Sequence, residues 1–374
     1  MSHSCKTTPI SPEQRLTYTA FFNPIQFALI LLTAITWAAL GASFVGAIYL
    51  VQTGQSPLVV IGCLIIALST WAFFPRLDTP PPHELCATPE TFPAIHAMVE
   101  EVATKLNVPM PAVVLTNRYT AGFGRFGYRY HPVLFIGHNL LSVLTHQETS
   151  LLLAHELCHV QRSGLSNSRP VRVTRMGLHN LIRVLSLRPL RKTPQVPTIL
   201  KLPLAPLLGL RYLLQLCRAA EMRVIETEAD GIALSHSSPS TMRSLMKKFA
   251  LEHVPPVQSA YQNATAANKY QAIRHAAARV DQVRFARLWQ AILDQQPTRL
   301  DMHPTVQQRI TQAERNEGVQ IRPIITLDTY NRAHAELAQW PVWLEEMEQQ
   351  LSVPEQNSSR YIRPANRLAA SSEF

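Results

Sequence analysis

Charge is scarce in this sequence, and negative charge is scarcer still. Asp, Glu, Lys and Arg make up only 16% of the 374 residues, and none of them occurs between Leu16 and Pro75. Cysteine is also thin: Cys5, Cys63, Cys86, Cys158 and Cys217 are scattered and odd in number. That excludes a disulfide framework and a C-x-x-C metal site, and fits a catalytic domain in a reducing compartment. Between Leu157 and Ala220 there is no Asp or Glu at all, against eleven Lys or Arg. Basic runs attract nucleic acid or anionic membrane. No nucleic-acid motif accompanies this one, so no nucleic-acid partner is expected.

The uncharged stretch holds two apolar runs, about Ile25–Val51 and Pro57–Phe74, joined by the turn-like Gln52–Ser56. Each is close to the ~20 residues that span a bilayer as a helix, so 21–75 is predicted to be a two-helix transmembrane hairpin in a lipid bilayer. Tyr18, Phe21, Phe22, Tyr49, Trp71, Phe73 and Phe74 stand near the run ends, as interfacial aromatics do. Ala38, Ala42 and Gly46 predict a close helix–helix contact. A cleaved signal peptide is set aside, because the first run is too long for an h-region and a second follows at once. Lys6 and Arg15 precede the pair, Arg76 follows it and the connector is uncharged. By the positive-inside rule both ends are then cytoplasmic, with segment 1–20 and everything after the hairpin on that side. The expected setting is a bacterial-type inner membrane.

The informative stretch is Leu151–Arg162, LLLAHELCHVQR. Its H-E-x-x-H pattern puts His155 and His159 on one face of a helix, where both can ligate one zinc ion. Glu156 can reach a water on that metal and act as its base. Thr145 and Glu148 form a capping-box pattern at the start, and Gly164 is the expected stop. Two histidines are too few for a catalytic zinc, which wants three protein ligands and a water. Downstream, RVIETEADGIAL (Arg223–Leu234) offers Glu226 as the third ligand. Asp230, four residues on, is placed to accept the free ring N–H of a zinc histidine. Glu228 lies two residues from Asp230 and faces elsewhere. Alone, E-x-x-x-D reads as a solvated acidic face; after an H-E-x-x-H helix it reads as the rest of a metal site. Cys158 reads as packing. His303, before a proline that can start a helix, and Arg309 are candidates to stabilise charge on a carbonyl oxygen.

Elsewhere the sequence predicts a mainly helical α+β domain with a small sheet. Pro93–Leu106, Thr241–Leu251, Ala267–Asp294 and Leu327–Leu351 have helical patterns. Ala112–Leu115 and Val133–Ile136 read as strands flanking a glycine-rich turn with Gly122, Gly124 and Gly127. That hairpin is either an ordinary structural one or one whose outer strand pairs with a substrate backbone. Arg172, Arg175, His179 and Arg183 share a helical face, which reads as a membrane-surface helix. Ile199–Cys217 is apolar but interrupted by Lys201, Pro203, Pro206 and Arg211. It is expected to lie in the interface or cover the active site rather than to form a poor further span. Segment 76–92, with the proline-rich Asp78–His83, is a linker. Residues 93–320 form the catalytic domain, with a basic membrane-proximal insert at 163–217. A C-terminal helix at 321–352 and a disordered tail at 353–374 complete the division.

The order of hairpin, His155–His159, Glu226–Asp230 and the H-P…R element (His303, Arg309) resembles a known family. It is that of the integral-membrane zinc endopeptidases, which includes the heat-shock protease HtpX and the CAAX prenyl endopeptidases (metallopeptidase family forty-eight, a branch of the gluzincins). The resemblance covers roughly Pro93 to Glu317. It implies one Zn2+ per chain on His155, His159 and Glu226, with Glu156 as base and Asp230 orienting a ligand. It also implies that His303 and Arg309 stabilise the transition state. It further implies a small sheet whose edge strand receives the peptide. Thr120 and Ala121, beside Gly122, stand near the place where the family often has Asn-Ala. Protein or peptide substrates follow, membrane-bound ones in particular. A zinc-stabilised chaperone or scaffold, and a dedicated processing or sensor protease, are the rival readings. The intact Glu156 speaks against the scaffold, which needs ligands but no base.

Overall fold

A computed structural model of the chain describes residues 24–54, 56–73, 86–116, 119–126, 131–161, 164–185, 198–263, 266–315 and 323–339. Outside them lie the 1–20 segment, the Asp78–His83 linker, Gly127, the predicted C-terminal helix beyond Gln339, and the tail. The described residues are mostly helical with one small sheet. Helices α1 (Pro24–Gln52) and α2 (Ser56–Phe73) come first, then α3 (Pro93–Lys105). Strands β1 (Ala112–Thr116), β2 (Ala121–Phe126) and β3 (His131–Gly137) follow, then α4 (His138–Leu141) and α5 (His146–Gln161). Next are α6 (Arg169–Leu185), α7 (Thr198–Leu234), α8 (Pro239–Ala250), α9 (Pro255–Asn263) and α10 (Ala266–Ala278). The last three are α11 (Gln282–Leu293), α12 (Val306–Glu314) and α13 (Leu327–Gln339).

Helix α1 is long and apolar enough to cross a membrane, and α2 is a shorter apolar helix. The two pack against each other, but not through the predicted small-residue stripe. Ala38, Ala42 and Gly46 are exposed, and nothing lies within 4 Å of a Cβ placed on Gly46. The close approach is at Gly62 instead, where an added Cβ would stand 2.7 Å from the Ala47 carbonyl oxygen. The buried faces of α1 and α2 meet α6 and α7 around Leu29, Ala72, Phe73, Val171, Leu178 and Leu214. A Cβ on Gly177 would fall 2.4 Å from the Phe73 ring, so a glycine is needed for α6 to lie on α2. The basic face of α6 is thus one side of a helix whose other side, Val171, Thr174, Leu178 and Ile182, is buried.

Ile199–Cys217 does not stand alone as a segment. It is the first half of the single helix α7, continuous with the stretch that carries Glu226 and Asp230. Leu207, Leu210, Leu214 and Cys217 recur at helical spacing and pack into the α1–α2–α6 cluster. That burial offsets the backbone hydrogen bonds lost at Pro203 and Pro206.

The sheet also differs from the expected hairpin. Its order is β1-β3-β2. β1 runs parallel to β3, and the glycine-rich stretch is itself a strand, β2, antiparallel to β3. Glycine carries no side-chain signal for a strand, so the segment looks like a turn. A Cβ on Gly124 would stand 2.7 Å from the Phe126 ring, which packs edge-on against Phe135. The predicted helix Ala267–Asp294 is two helices, α10 and α11, because Asp281 caps a new start by accepting from the Val283 and Arg284 amides.

The main core lies between the sheet, α3, α5 and the C-terminal helices. Leu134, Ile136, Leu151–Leu153, Leu157 and Ile273 are among its fully buried members. Its C-terminal edge contains a histidine network. Tyr270 Oη lies 2.9 Å from His334 Nδ1, Arg274 Nη1 donates to the same hydroxyl at 3.0 Å, and Tyr330 stacks 4.1 Å from the His334 ring. Burial first, then the Arg274 and His138 charges, push His334 down to about 4. The unfolded imidazole, with a pKa of about 6.5, takes a proton that the folded one refuses. Stability from this group is therefore full above pH ~6.5 and is lost as the pH falls towards 4. Thermal melts at pH 5 and 7.5 should show a smaller acid loss in His334→Phe than in the wild type. Equal losses would refute the assignment.

Candidate metal centre

Helix α5 begins with the predicted capping box: Glu148 Oε2 accepts from the Thr145 amide at 2.7 Å, and Thr145 Oγ1 from the Glu148 amide at 3.4 Å. It ends at Gln161, before Gly164. Gly164 serves instead as the place where the chain passes α7. A Cβ there would fall 2.5 Å from Ile225 and 2.7 Å from Glu221. Helix α5 is almost wholly buried, so the register of its H-E-x-x-H residues is fixed by packing on all sides. His155, Glu156 and His159 lie in its second half, and both histidines face α7.

There the two helices bring three ligand types together. His155 Nε2 lies 3.3 Å from Glu226 Oε2, and His159 Nε2 lies 3.4 Å from Glu226 Oε1. Ligands held ~2.0–2.1 Å from a tetrahedral zinc stand about 3.3 Å from one another. Each imidazole is thus about that far from one Glu226 oxygen, and all three groups are buried with ligand atoms within 4.8 Å of one another, a set that could hold a metal ion. A buried carboxylate beside two imidazoles, with Glu226 Oε2 making no well-aligned hydrogen bond, is a donor set that suits a metal cation. Glu228 is exposed and Cys158 is buried packing, as their positions predicted.

Asp230 is fully buried and its Oδ1 lies 2.9 Å from His155 Nδ1. With Nδ1–H directed at Asp230, the neutral tautomer leaves a lone pair on Nε2, the nitrogen facing Glu226, free to ligate a cation. Arg309 Nε donates to Asp230 Oδ2 at 2.7 Å, and its Nη2 donates to Oδ1, a bidentate clamp. The expected place for Arg309 was beside the substrate oxygen; its guanidinium is instead committed to Asp230. His303 Nδ1 stands 2.9 Å from Glu226 Oε2, with its side chain 63% exposed. It alone of this group faces the open side. The proline before α12 is not its start: Thr305 caps the helix in a capping box with Gln308.

The charges are strongly coupled. Burial would lower His155, but the Asp230 and Glu226 carboxylates outweigh it and push the imidazole up to about 9. Burial would raise Glu226, yet His155 and His303 hold it far below the usual carboxylate range. Burial would likewise raise Asp230, and Arg309 holds it down. The cluster thus keeps its two carboxylates ionised at neutral pH and a proton on His155, which a bound cation would displace.

Strand β2 is the outer strand of the sheet and lies against α5. The Gly137 amide donates to the Thr120 carbonyl at 2.7 Å, which sets the phase of the β2–β3 ladder. By antiparallel alternation, Thr120 and Gly122 turn their peptide groups towards β3, whereas Ala121, Phe123 and Arg125 turn theirs outwards. Of the three residues expected to touch substrate, only Ala121 has its backbone on the open side. At the far end the Arg125 carbonyl accepts from Arg172 Nη1 at 3.0 Å, and Arg125 Nη2 donates to the Val160 carbonyl at 2.8 Å.

Two features of the site were missed by pattern reading. One is the Arg172–Arg125 closure, which joins residues far apart in sequence. The other is Arg223, whose Nη1 donates to the Asp301 carbonyl at 2.8 Å. Its spacing of three from Glu226 and seven from Asp230 was a usable signal, because those offsets share a helix face.

Comparison with known proteins bears on this arrangement. The model of peptidase family M48 matches residues 89–317. A protease HtpX homolog of Desulforapulum autotrophicum is 33% identical over 79 residues, 21% of this chain and 26% of that protein. Protease HtpX homologs of Burkholderia multivorans and Burkholderia lata are each 27% identical, over 169 and 183 residues. Those matches cover 42% and 46% of this chain, and 56% and 62% of the relatives. The chain thus spans between about a quarter and three-fifths of the curated relatives it matches. The crystal structure of S. mikatae Ste24p superposes with a TM-score of 0.25 at 12% identity, over 80% of this chain and 68% of that one. A superposition that loose carries no argument about the site. The family match takes in more than half of the sequence and encloses every residue gathered around Glu226, and on that ground the chain belongs to peptidase family M48.

Proposed function

We propose that this chain is a zinc-dependent endopeptidase that cleaves membrane or membrane-associated proteins. The observation that supports it most is the ligand spacing: 3.3 and 3.4 Å between buried imidazole and carboxylate side chains on two helices. His155, His159 and Glu226 would hold the ion. Zinc, when bound there, supplies Lewis acidity to water and to the peptide carbonyl. Glu156 takes the proton from the attacking water and returns it to the leaving amine. Asp230 holds the His155 tautomer, and Arg309 holds Asp230. His303, on the open side, donates to the carbonyl oxygen as negative charge builds. The peptide extends along β2, pairing with the outward groups of Ala121 and Phe123 and ending where Arg172 closes the edge. The apolar α1–α2 pair and the basic face of α6 support a cleft at a bilayer surface, and the Lys and Arg flanking the pair in the sequence support the cytoplasmic side.

The test is a paired measurement on detergent-purified full chain: metal content, and cleavage of an unfolded model protein before and after a chelator. About one zinc per chain, with cleavage lost on chelation and restored by zinc, is the expected result. Zinc bound tightly with no cleavage would favour the scaffold, and absence of zinc would end the metal reading.

A further inference from the structure

His303 reaches the site from a segment that has little else to hold it. Between the end of α11 and Thr305 the chain is largely exposed: of its two large apolar side chains, Leu300 is 43% exposed and Met302 is only half-buried. Hydrophobic burial therefore contributes little to setting its position, the half-buried Met302 aside. A local turn shapes it: Asp301 Oδ2 accepts from the Thr298 amide at 2.6 Å, and the Asp301 amide donates to the Thr298 carbonyl at 3.3 Å. That turn could still swing as a unit relative to α7.

Four contacts join this segment and α12 to α7. Arg309 grips Asp230, His303 meets Glu226, and Gln312 Nε2 donates to the Thr227 carbonyl at 2.8 Å. The fourth is Arg223, whose Nη1 donates to the Asp301 carbonyl at 2.8 Å and approaches the Arg299 carbonyl at 3.4 Å. Arg309 and Gln312 fix α12, downstream of His303. Among the described residues, Arg223 is the contact that holds the loop upstream of it. A guanidinium suits this task, because its donors form a rigid fork and remain charged at any working pH.

We propose that Arg223 is a positioning residue: by holding the Asp301 and Arg299 carbonyls it sets where His303 stands over Glu226. The inference rests on the endopeptidase reading for what His303 does, but the tether itself can be read without catalysis. Arg223 shares a helix face with Glu226 and Asp230, so one face of α7 carries metal ligand, ligand orienter and loop anchor. Any movement of α7 then moves all three together and keeps His303 in register with the metal site.

The experiment compares wild type, Arg223→Ala and Arg223→Lys as full chains in detergent. It reads zinc content, melting temperature, kcat and KM, and hydrogen–deuterium exchange of peptides covering 295–304. In Arg223→Ala, exchange over 298–304 should rise and kcat should fall about 10–100-fold, the range for outer contacts of metal sites. KM should stay within about threefold, with zinc content and melting temperature held. Arg223→Lys keeps a charged donor and should recover most of the kcat and the protection, even if the Ala variant purifies poorly. Unchanged exchange in Arg223→Ala would overturn the tether. Faster exchange with unchanged kcat would overturn the positioning role. So would a kcat loss that tracks melting temperature without recovery in Lys. A wild type that holds zinc but cleaves nothing would sink the endopeptidase reading instead, and the exchange comparison would still decide the tether.

Discussion

Glu156→Gln is expected to leave zinc bound at about one ion per chain and to lower cleavage by about 10²–10⁴-fold, the usual contribution of a positioned general base. The separation follows from geometry. Glu156 sits between the two histidines in sequence but is not one of the three ligand groups, which are His155, His159 and Glu226. Gln keeps the size of the side chain within a helix that is buried along nearly its whole length, so packing is preserved while the basic oxygen is lost. Metal analysis and a cleavage assay on the same preparation check both halves. Retained activity would remove Glu156 from the chemistry. Loss of zinc together with activity would mean that the carboxylate helps hold the ion, and the ligand set would need revision.

Arg309→Met should have the second large effect, on folding as well as on the metal. Asp230 is fully buried, and Arg309 is its bidentate partner. Taking away one partner of such a pair strands a charge in low dielectric and destabilises by about 3–5 kcal/mol. His155 then loses a firmly held orienter, and zinc affinity should weaken about 10–100-fold. The double variant Asp230→Leu/Arg309→Met separates the two consequences. Replacing both ends of a buried ion pair by apolar groups is often neutral for stability, so the melting temperature should recover while zinc affinity stays low. Denaturation curves and chelator competition read these independently. If the double variant regains full affinity, Asp230 has no part in presenting His155.

The centre of the site was legible because metal ligation imposes its own spacing. Two histidines four apart and a carboxylate four before an Asp are patterns that a helix turns directly into one face. What spacing cannot convey is the direction a long side chain takes across the fold. Arg309 could be placed near the site from sequence, yet its commitment to Asp230, 79 residues away, is a tertiary fact. The sheet was half legible. The β-branched runs of β1 and β3 announced themselves, but the glycines of β2 read as a turn. Parallel pairing of β1 with β3 leaves no local mark, because it is made by crossing over a strand rather than by turning back. In α7 the prolines suggested an interruption that packing against α1 and α6 overrides. The small-residue stripe of α1 failed for the converse reason: small size permits a contact but does not create one.

Because α7 supplies both Leu214 to the apolar cluster and Glu226 to the candidate metal cluster, no seam separates these two clusters among the described residues. A soluble fragment beginning at Pro93 would retain every proposed zinc ligand. It would also carry Val171, Leu178 and Leu214 stripped of the Leu29, Ala72 and Phe73 that cover them. Cutting instead within α7 to discard the apolar half would leave Glu226 on a frayed helix end. Crystallisation, screening and engineering of this chain are therefore tied to a polypeptide that keeps α1 and α2 with α7, because the same rod that enters the apolar bundle carries the acidic residue of the candidate metal site.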